Sequence, residues 1–546
     1  QGEMTENNIS VAESNLEAML RYSRKFAEKF DFSAFIGGNL MFYDQEAFTN
    51  KGTNEIIPGM QSITNYVSQS LTYSHPRKQV RSLYGAVNFG YNDLLYLDVT
   101  LRNDWSSTLA KGLNSYCYPS VSGSFVFSNL LKDHSVLSFG KVRASWAKVG
   151  GDTDPYMLNL NYGVLDYTLN GKPLGDITSP SIPKLDLKPT RTYSWEVGAD
   201  IRLFNSRLGL DATWYSAKTE DQIMSLPIST TTGFPMATIN SGCISNKGIE
   251  LSLNGVIFDR KNFFWDATVN FARNINMVES LHPAISTYTL ANARWANAMI
   301  AAMEGESYGV ILGKKLQRNE NGEVIYGANG LPMVGNDIEV LGNGVYDWTA
   351  GLSTSLSFYG VTVSALFDMK YGAEVYSMSS MMAHMNGTAT ATLEGRREWY
   401  ESEELRKQAN VLESAWTPTG GLIGKGVVNI GTEDNPQWAP NTTPVDPQDY
   451  WANFQNAGTP EPFIYDASFI KLRELSLTYS FDRKLLKKAP LSGVSLSLYG
   501  RNLWTIWSSV PNIDPESSYN NGNGQGFEYG SLPSRRSFGA SLKLSF

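Results

Sequence analysis

The residue types that most often carry chemistry are sparse in this sequence and do not form a reactive pattern. The chain of 546 residues has four histidines, and none stands in an H-E-x-x-H or similar spacing that would set two imidazoles on one zinc ion. They are His75, His134, His282 and His384. No G-x-S-x-G turn is present to expose a nucleophilic serine. We therefore predict that the chain is not an enzyme and carries no cofactor or metal ion.

Two short motifs could suggest ligand binding, but their surroundings favour ordinary loops. The glycine-rich run Gly522–Gly526 follows no predicted strand and leads into no predicted helix, so it lacks the context of a phosphate-binding loop. The run Asn319–Glu323 faintly resembles a calcium loop, yet a hairpin turn is the favoured interpretation. Cys117 and Cys243 have neither C-x-x-C nor zinc spacing. Whether they form a disulfide is left open, with separate thiols favoured.

Five tryptophans are the stronger candidates for binding, because they lie in long segments between predicted elements. An indole ring can stack on a sugar ring or fill a pocket in a partner protein. The alternative is that each ring merely packs one loop on another, and this is the favoured interpretation for any single tryptophan. The five candidates are Trp295, Trp399, Trp416, Trp438 and Trp451.

The composition limits the class of protein that could hold such residues. Charged residues make up 18% of the chain, which is low for a soluble surface, while 42% are hydrophobic and 12% aromatic. No uninterrupted apolar stretch reaches the roughly 18 residues that a membrane-spanning helix needs. The net charge of -8 argues against nucleic acid as a partner. The apolar residues are instead spread through the chain in alternating positions.

This alternation has a period of two and predicts β-strands of about 12 to 15 residues, longer than is usual in soluble proteins. In residues 95–102, for example, Leu and Val alternate with Tyr, Asp, Thr and Arg. The first predicted strand is insecure, because residues 11–30 also fit an amphipathic helix. The fifteen predicted strands are 15–26, 31–44, 80–91, 93–104, 116–127, 136–149, 191–204, 206–219, 246–258, 262–276, 344–358, 360–372, 465–481, 491–503 and 535–546.

The connections between these strands alternate strictly between short and long. Short ones carry hairpin residues, as at Asn92-Asp93, Asn205-Ser206 and Tyr359-Gly360. The longest are 277–343 and 373–464, and the second of these could form a surface helix from Glu394 to Gln408. Outer-membrane barrels have short periplasmic turns and long extracellular loops, whereas a soluble sandwich has no reason to sort its loops in this way. The sequence therefore predicts an all-β, transmembrane antiparallel β-barrel that ends at Phe546 on the periplasmic side.

Five charged residues fall on the polar face of the predicted strands and are candidates for lining the interior. A charge on the lipid face at mid-depth would cost about 2–4 kcal/mol for Arg or Lys, which supports an inward position. These side chains could line a passage, or they could form a solvated lattice of ion pairs, and the lattice is favoured. They are Asp98, Arg102, Asp104, Glu474 and Arg501.

Several short motifs, taken in order, resemble the SusC-like branch (SusC/RagA family) of TonB-dependent transporters of the Bacteroidetes. Residues 246–251 read N-K-G-I-E-L and match that family's N-K-G-x-E-L directly, whereas residues 142–151 have Ala147 where the family usually has glycine. Each motif is weak alone, but their order and spacing make the set specific. The remaining motifs lie at residues 101–107, 118–122, 467–479, 501–503 and 533–539.

The resemblance implies a 22-stranded barrel, of which residues 1–546 would supply about 15 strands as its C-terminal portion. The first seven strands, the plug domain and the segment that contacts TonB would then be missing. Because the strand count is odd, the chain is expected to begin in an external loop, around residues 1–14. Our hypothesis is that it is a fragment, or one half of a protein cleaved in that loop, and that an N-terminal plug-bearing fragment is its partner.

For function, the resemblance implies an active importer in the Gram-negative outer membrane, in contact with lipid and lipopolysaccharide. Its partners would be the TonB complex, reached through the missing N-terminal part, and a SusD-like surface lipoprotein that acts as a lid. The family imports oligosaccharides or oligopeptides, and the tryptophan-rich loops favour oligosaccharides. The alternatives left open are an oligopeptide importer of the same family, a passive porin or surface adhesin, and an outer-membrane enzyme with its chemistry at the barrel mouth.

Overall fold

The structure, a computed structural model, describes residues 2–131, 135–293, 297–482, 490–520 and 522–546. His134 and Trp295 lie outside the described residues. The chain divides into two compact units, one formed by Gln1–Ser206 and Asp211–Lys247 and the other by Arg207–Leu210 and Gly248–Phe546. None of the helices in the described part of the chain combines the length and apolar character that crossing a membrane would need.

Most of the first unit is one antiparallel sheet in which each long strand pairs with the next along the chain, in the order β1-β2-β4-β5-β6-β7-β11-β12. Smaller strands lie in the connections. The strands are β1 (Glu3–Phe26), β2 (Phe30–Glu55), β3 (Tyr66–Ser74), β4 (Arg77–Tyr91), β5 (Leu95–Ser106), β6 (Ser115–Phe125), β7 (Leu137–Gly151), β8 (Tyr162–Leu169), β9 (Lys172–Ile177), β10 (Ser181–Ile182), β11 (Thr190–Leu203), β12 (Leu208–Glu220), β13 (Ile223–Pro227) and β14 (Met236–Asn240).

The segment whose conformation was ambiguous, residues 11–30, is a strand over most of its length, because β1 pairs with β2 in continuous antiparallel register from Glu3 to Phe26. The predicted hairpin turns are present as well. Asn92 and Asp93 have φ of 51° and 54°, and Asn205 and Ser206 have φ of 56° and 62°. Positive φ at both central residues is what a tight turn between right-twisted strands requires, and Asn and Asp tolerate it best after glycine.

The first unit departs from the prediction in two places: residues 3–14, which were expected in an external loop, belong to β1, and the connection at residues 45–79 is largely strand. β2 continues eleven residues beyond the predicted end at position 44, to Glu55, and its outer part pairs with β3 from Ala47↔Ser74 to Glu55↔Tyr66. The alternating pattern is weak there. Residues 49–55 of β2 are polar or glycine on both faces, so this part of the strand lacks the alternation that marks the other strands.

The second unit contains the other long strands, again in chain order, β15-β16-β22-β23-β28-β29-β31. Its strands are β15 (Cys243–Arg260), β16 (Phe263–Ser280), β17 (Thr287–Asn292), β18 (Met299–Met303), β19 (Val310–Leu316), β20 (Ile325–Tyr326), β21 (Val334–Asn343), β22 (Trp348–Phe358), β23 (Val361–Tyr371), β24 (Glu374–Ser377), β25 (Val427–Asn429), β26 (Trp438–Pro440), β27 (Ile464–Asp466), β28 (Phe469–Ser480), β29 (Gly493–Ser508), β30 (Phe527–Glu528) and β31 (Ser537–Ser545).

The long strands of both units expose their apolar face. In β5 the aliphatic residues at 95, 97, 99 and 101 are exposed, whereas Asp98 and Arg102 on the other face are partly covered. In β29 Leu496 and Leu498 are exposed, whereas Ser497 is partly covered and its hydroxyl is bonded to that of Thr478 on β28. Exposed aliphatic residues at every second position are expected where lipid is the solvent. Each of the fifteen predicted strands corresponds to one long strand of the structure.

The segments that connect β16 to β22, and β23 to β28, are folded rather than irregular. They contain a small antiparallel sheet, β17-β18-β19-β21, and three helices, α1 (Met378–Met385), α2 (Arg396–Gln408) and α3 (Pro447–Asn456). The surface helix predicted between Glu394 and Gln408 is thus present as α2. Buried side chains from these segments form a core that includes Ile311, Tyr376, Met381, Phe454 and Phe463. This core fixes the connecting segments against one another.

Candidate functional site

A pocket of about 680 Å³ opens between the three helices of the second unit. It lies within the range of roughly 300–1,000 Å³ in which proteins bind small organic molecules. Every residue of its wall belongs to the single connection between β23 and β28. The wall residues are His384, Met385, Asn386, Gly387, Thr392, Arg396, Trp399, Tyr400, Glu403, Lys407, Asp446, Pro447, Gln448 and Trp451. Two of the five predicted tryptophans, Trp399 and Trp451, therefore meet at one site.

Trp451 lies on α3, which is held firmly at its first turn. Asp446 caps the helix by accepting a hydrogen bond of 2.8 Å from the backbone N–H of Gln448, and Pro447 follows at the first helical position. The Trp451 ring lies 4.4 Å from the His384 imidazole and 5.8 Å from the Phe454 ring, between ring centroids. Because Phe454 belongs to the buried core, this wall of the pocket is preformed.

Trp399 lies on the first turn of α2 and depends on two close backbone approaches. Gly395, with φ of 76°, precedes the helix, and a Cβ there would lie 2.3 Å from the backbone nitrogen of Leu422. A Cβ on Gly421 would come within 3.0 Å of the Trp399 ring. Burial raises the pKa of Asp446, and hydrogen bonds from the Gln448 backbone and the Trp399 side chain partly oppose that rise. Trp399 and Asp446, the capping residue of α3, thus lie in the wall of the same pocket.

The charged groups of the pocket are fixed by bonds of their own. Arg396 donates from Nε to the Thr392 carbonyl and from a terminal nitrogen to the Gly387 carbonyl, each at 2.6 Å. Gly387 has a φ of 68°, a backbone conformation that favours glycine. Glu403 pairs with Arg406 at 2.7 Å, and the hydrogen bond from Arg406 lowers the pKa of Glu403. Guanidinium and carboxylate groups are therefore presented in set directions.

The other candidate tryptophans lie elsewhere. Trp416 donates from its indole nitrogen to the hydroxyl of buried Ser402, at 3.1 Å, so it packs the following loop on α2. Trp438 begins the short strand β26, opposite Asn429. Sequence reasoning did not single out His384, Arg396, Asp446 or Gln448 as pocket residues; the signal available for Asp446 was the helix start Asp-Pro before an aromatic run.

In the first unit, the three charged candidates lie together on one face of β5. Arg102 pairs with Asp104 at 2.8 Å and donates to the Ser82 hydroxyl at 2.9 Å. Tyr118 donates a hydrogen bond to Asp104, and Asp98 accepts hydrogen bonds from Asn88 and Ser122. The arrangement is a cross-strand polar lattice on the covered face.

In the second unit, Glu474 and Arg501 stand directly opposite each other on β28 and β29. Arg501 Nε lies 2.9 Å from a Glu474 carboxylate oxygen, and both side chains remain well exposed. Such exposed pairs contribute about 0–1 kcal/mol to stability. This pair therefore resembles part of a solvated lattice of ion pairs, which is the interpretation that the sequence favours over the lining of a passage.

A second cluster of charges in the same unit is much more buried, and the sequence alone did not indicate it. Lys471 on β28 is only 2% exposed, and it pairs with Asp514 and, at 2.9 Å, with Glu516. Arg473 bonds Glu516 and, at 2.6 Å, Asp368. Lys471, Arg473 and Lys370 all lie within 5.8 Å of the centroid of the Phe469 ring. The cluster ties the connection between β29 and β31, residues 509–536, to the ends of β23 and β28.

Burial opposes ionisation of Asp514 and Glu516, but their hydrogen bonds prevail. Lys471 and Ser534 hold the pKa of Asp514 well below its usual range. Arg473 and Lys471 likewise lower the pKa of Glu516. Both carboxylates are therefore charged at neutral pH and are matched by the cations around them.

The remaining sequence motifs serve local structure. Asn319 and Glu323 close a tight turn through a backbone hydrogen bond of 2.9 Å, as the hairpin interpretation predicts. Cys117 is exposed and Cys243 is buried, and the two are separate thiols. Among the described residues, no group of three or more His, Cys, Asp or Glu side chains is placed to hold a metal ion.

Long meandering strands with an apolar exposed face, short turns at one end and long folded connections at the other define an outer-membrane β-barrel protein. The description "TonB dependent receptor-like, beta-barrel" belongs to the family model that matches residues 5–503, and the chain belongs to this family. The predicted fold class and outer-membrane location are thereby confirmed, and so is the SusC-like resemblance.

Curated relatives agree with this assignment. The chain is 25% identical to TonB-dependent receptor P3 of Formosa agariphila, an alignment that covers 100% of the chain and 53% of the relative. It is also 25% identical to TonB-dependent receptor SusC of Bacteroides thetaiotaomicron, over 94% of the chain and 48% of the relative. The chain thus spans about half the length of the curated relatives it matches.

Among solved structures, the RagAB peptide transporter superposes on the whole chain with a TM-score of 0.75. The sequences are 20% identical, and the match covers 56% of that transporter chain. At this identity the likeness concerns the fold alone.

Proposed function

We propose that the protein is a TonB-dependent outer-membrane importer and that its cargo is oligosaccharide. The import function is supported by membership of a family of TonB-dependent transporters. The choice of cargo is supported by one observation, the pocket between α1, α2 and α3. That pocket presents Trp399 and Trp451 beside fixed charged and amide groups, a combination suited to the apolar faces and hydroxyl edges of sugars.

We further propose the partners that a SusC-like protein requires. SusC-type transporters pair with a SusD-like surface lipoprotein, and interaction with TonB is general to the family. For this protein, the lipoprotein would cover the long extracellular connections. The plug, the remaining strands and the TonB-contacting segment would come from parts of the transporter outside this sequence, which corresponds to about half of its relatives.

An oligopeptide cargo is the second candidate, and the observation in its favour is the superposition on a structure described as a peptide transporter. That likeness concerns the backbone. The pocket residues lie on helices and turns and offer no strand edge, and a strand edge is what an extended peptide most readily joins. A passive porin or adhesin is less well supported, since the family is one of energised transporters.

Uptake by whole cells tests both the energy coupling and the cargo. Cells with and without the intact gene would be given fluorescently labelled neutral oligosaccharides or labelled tripeptides, before and after a protonophore. We expect gene-dependent uptake of oligosaccharide that stops when the proton gradient collapses. Uptake that survives the protonophore would point to a porin, and uptake of peptide alone would replace the proposed cargo. Mass spectrometry of the detergent-solubilised complex would identify the lipoprotein and the plug-bearing part.

A further inference from the structure

We infer that the pocket between α1, α2 and α3 is a preformed binding site for one or two rings of a neutral sugar. This inference deepens the proposed function and rests on it for the cargo class. It adds a location, since the site is built from one connection, residues 372–468, and needs no residue of a lid or plug. It also specifies that the ligand is uncharged, and it names a small set of residues that contact the sugar.

The first argument is that the walls are in place before any ligand binds. Trp451 is held by His384 and Phe454, and the core beneath it contains Phe463 and Met381, which are almost completely buried. Trp399 is held by its position after Gly395 and by the close approach of the Gly421 backbone to its ring. A site whose side chains are already ordered loses little conformational entropy on binding.

The second argument is the balance of charge. The wall contains two basic side chains, Arg396 and Lys407, and two acidic ones, Glu403 and Asp446. A strongly anionic or cationic ligand would meet as much repulsion as attraction there. A neutral sugar has hydroxyl groups that both donate and accept, so it can use both kinds of group at once.

The third argument is the pairing of flat apolar surfaces with polar edges. The pocket wall includes Trp399, Trp451 and the exposed ring of Tyr400, with the amides of Gln448 and Asn386 beside them. One face of a pyranose ring carries only C–H groups and packs on an indole, while its equatorial hydroxyls reach outward to amides and charges. The wall residues offer no β-strand edge for the backbone of an extended peptide.

The test is ligand binding to the full protein purified in detergent. The probes are the methyl glycosides of glucose, mannose and galactose and their neutral disaccharides, with galacturonic acid and tri-alanine as comparison ligands. Saturation-transfer NMR would show which ring protons meet the protein, and calorimetry would give the Kd. We expect at least one neutral sugar to bind and both comparison ligands to bind at least tenfold more weakly.

Three variants locate the binding. Trp399→Ala should weaken binding of the sugar at least tenfold, and Gln448→Ala, which changes one exposed side chain, should weaken it a few-fold without disturbing the fold. Trp438→Ala is the matched control, because that half-buried tryptophan of the same connection does not line the pocket. It should bind the sugar as the unaltered protein does. A heat-modifiability gel for each variant separates loss of a contact from loss of folding.

Three outcomes would overturn the inference: no neutral sugar binds, tri-alanine binds better than any sugar, or Trp399→Ala and Gln448→Ala both bind like the control. These outcomes are separable from failure of the proposed function. If cells import oligosaccharide by the energised route while the pocket binds none, the importer stands and the pocket assignment fails. If the pocket binds sugar but cells import none, the proposed cargo fails and the pocket remains a sugar site.

Discussion

Within the second unit, the long strands and the connections between them place their apolar side chains in opposite ways. Leu498 on β29 is 53% exposed and Leu542 on β31 is 61% exposed, whereas Tyr376 and Phe463 in the connections are each 1% exposed. The strands meet lipid, so exposure of an aliphatic residue there costs nothing. The connections meet water and must bury theirs, as any soluble domain does.

The connections therefore have a buried core of their own, on which a binding site can be built. A pocket on a flexible loop would have to be ordered at the expense of affinity. The pocket between α1, α2 and α3 instead rests on buried aromatic residues. Polar groups on the strands, such as the pair Glu474–Arg501, remain solvated, so substituting them should change the stability of the protein little.

The largest effect is expected where the two regions join. Lys471→Met removes the buried cation between Asp514 and Glu516, so Asp514 loses its salt-bridge partner while Glu516 keeps Arg473. Breaking a buried ion pair from one side costs about 3–5 kcal/mol. We expect the connection between β29 and β31 to detach and become sensitive to protease while the strands stay folded, as judged by limited proteolysis and mass spectrometry.

The matched control for this change lies on the same pair of strands. Arg501→Gln removes one partner of an exposed ion pair, and we expect a change of about 1 kcal/mol or less. Equal protease sensitivity of Lys471→Met and Arg501→Gln would contradict the distinction between buried and solvated charges.

Phe463→Ala tests whether the connections have a core of their own. Phe463 packs against Phe454 and His384, with ring centroids 5.8 and 5.4 Å apart. Deleting a buried phenylalanine costs about 3–5 kcal/mol. Hydrogen exchange should therefore accelerate in α1 and α3 and stay unchanged in β29. Leu498→Ala, on the lipid side, should have no such effect, and acceleration spread evenly over the unit would show that the connections are not independent.

This contrast also explains how much could be predicted from the sequence. Lipid on one side imposes a period of two, so alternation found the long strands, and Asn205-Ser206 marked a turn by its tolerance of positive φ. The outer part of β2 was missed, because residues 49–55 are polar or glycine on both faces and show no such period. The helix at Arg396–Gln408 was foreseen from its composition.

The sites themselves were less predictable than the fold. Trp399 and Trp451 were candidates, but their meeting at one pocket depends on how α2 and α3 pack. The packing of two helices cannot be read from a local sequence pattern. Lys471 and Asp514 lie 43 residues apart and meet only because the connection between β29 and β31 returns to β28. Trp416 matched the same pattern as Trp399, yet it serves packing through Ser402.

Leu498→Arg tests the orientation of the strands directly. A guanidinium on the lipid face costs about 2–4 kcal/mol at mid-depth, because it loses hydration without gaining a partner. We expect a lower yield of folded protein in the membrane and a lower midpoint of urea unfolding. Ser497→Arg, one residue away on the polar face, should be tolerated. If Ser497→Arg is the more damaging of the two, the assignment of faces is reversed.

Mild acid should have the smallest effect, because the carboxylates of the buried cluster have pKa values below the usual range. The unfolded pKa of Asp is about 3.9 and that of Glu about 4.3. A carboxylate whose pKa is lowered by folding adds stability that is complete above its unfolded pKa and is lost as the pH falls through its folded pKa. Protease resistance of the connection between β29 and β31 should therefore be the same at pH 7 and pH 5 and should fall below about pH 4.

Many carboxylates titrate in that lower range, so the comparison needs a variant in which the two carboxylates of this cluster can no longer take up protons. The double variant Asp514→Asn, Glu516→Gln should be less resistant at pH 7, since Lys471 then lacks both of its anions. It should also lose less resistance between pH 5 and pH 3, since two groups no longer take up protons. If the double variant and the unaltered protein lose resistance in parallel, the acid sensitivity arises elsewhere and the cluster does not anchor the connection to the strands.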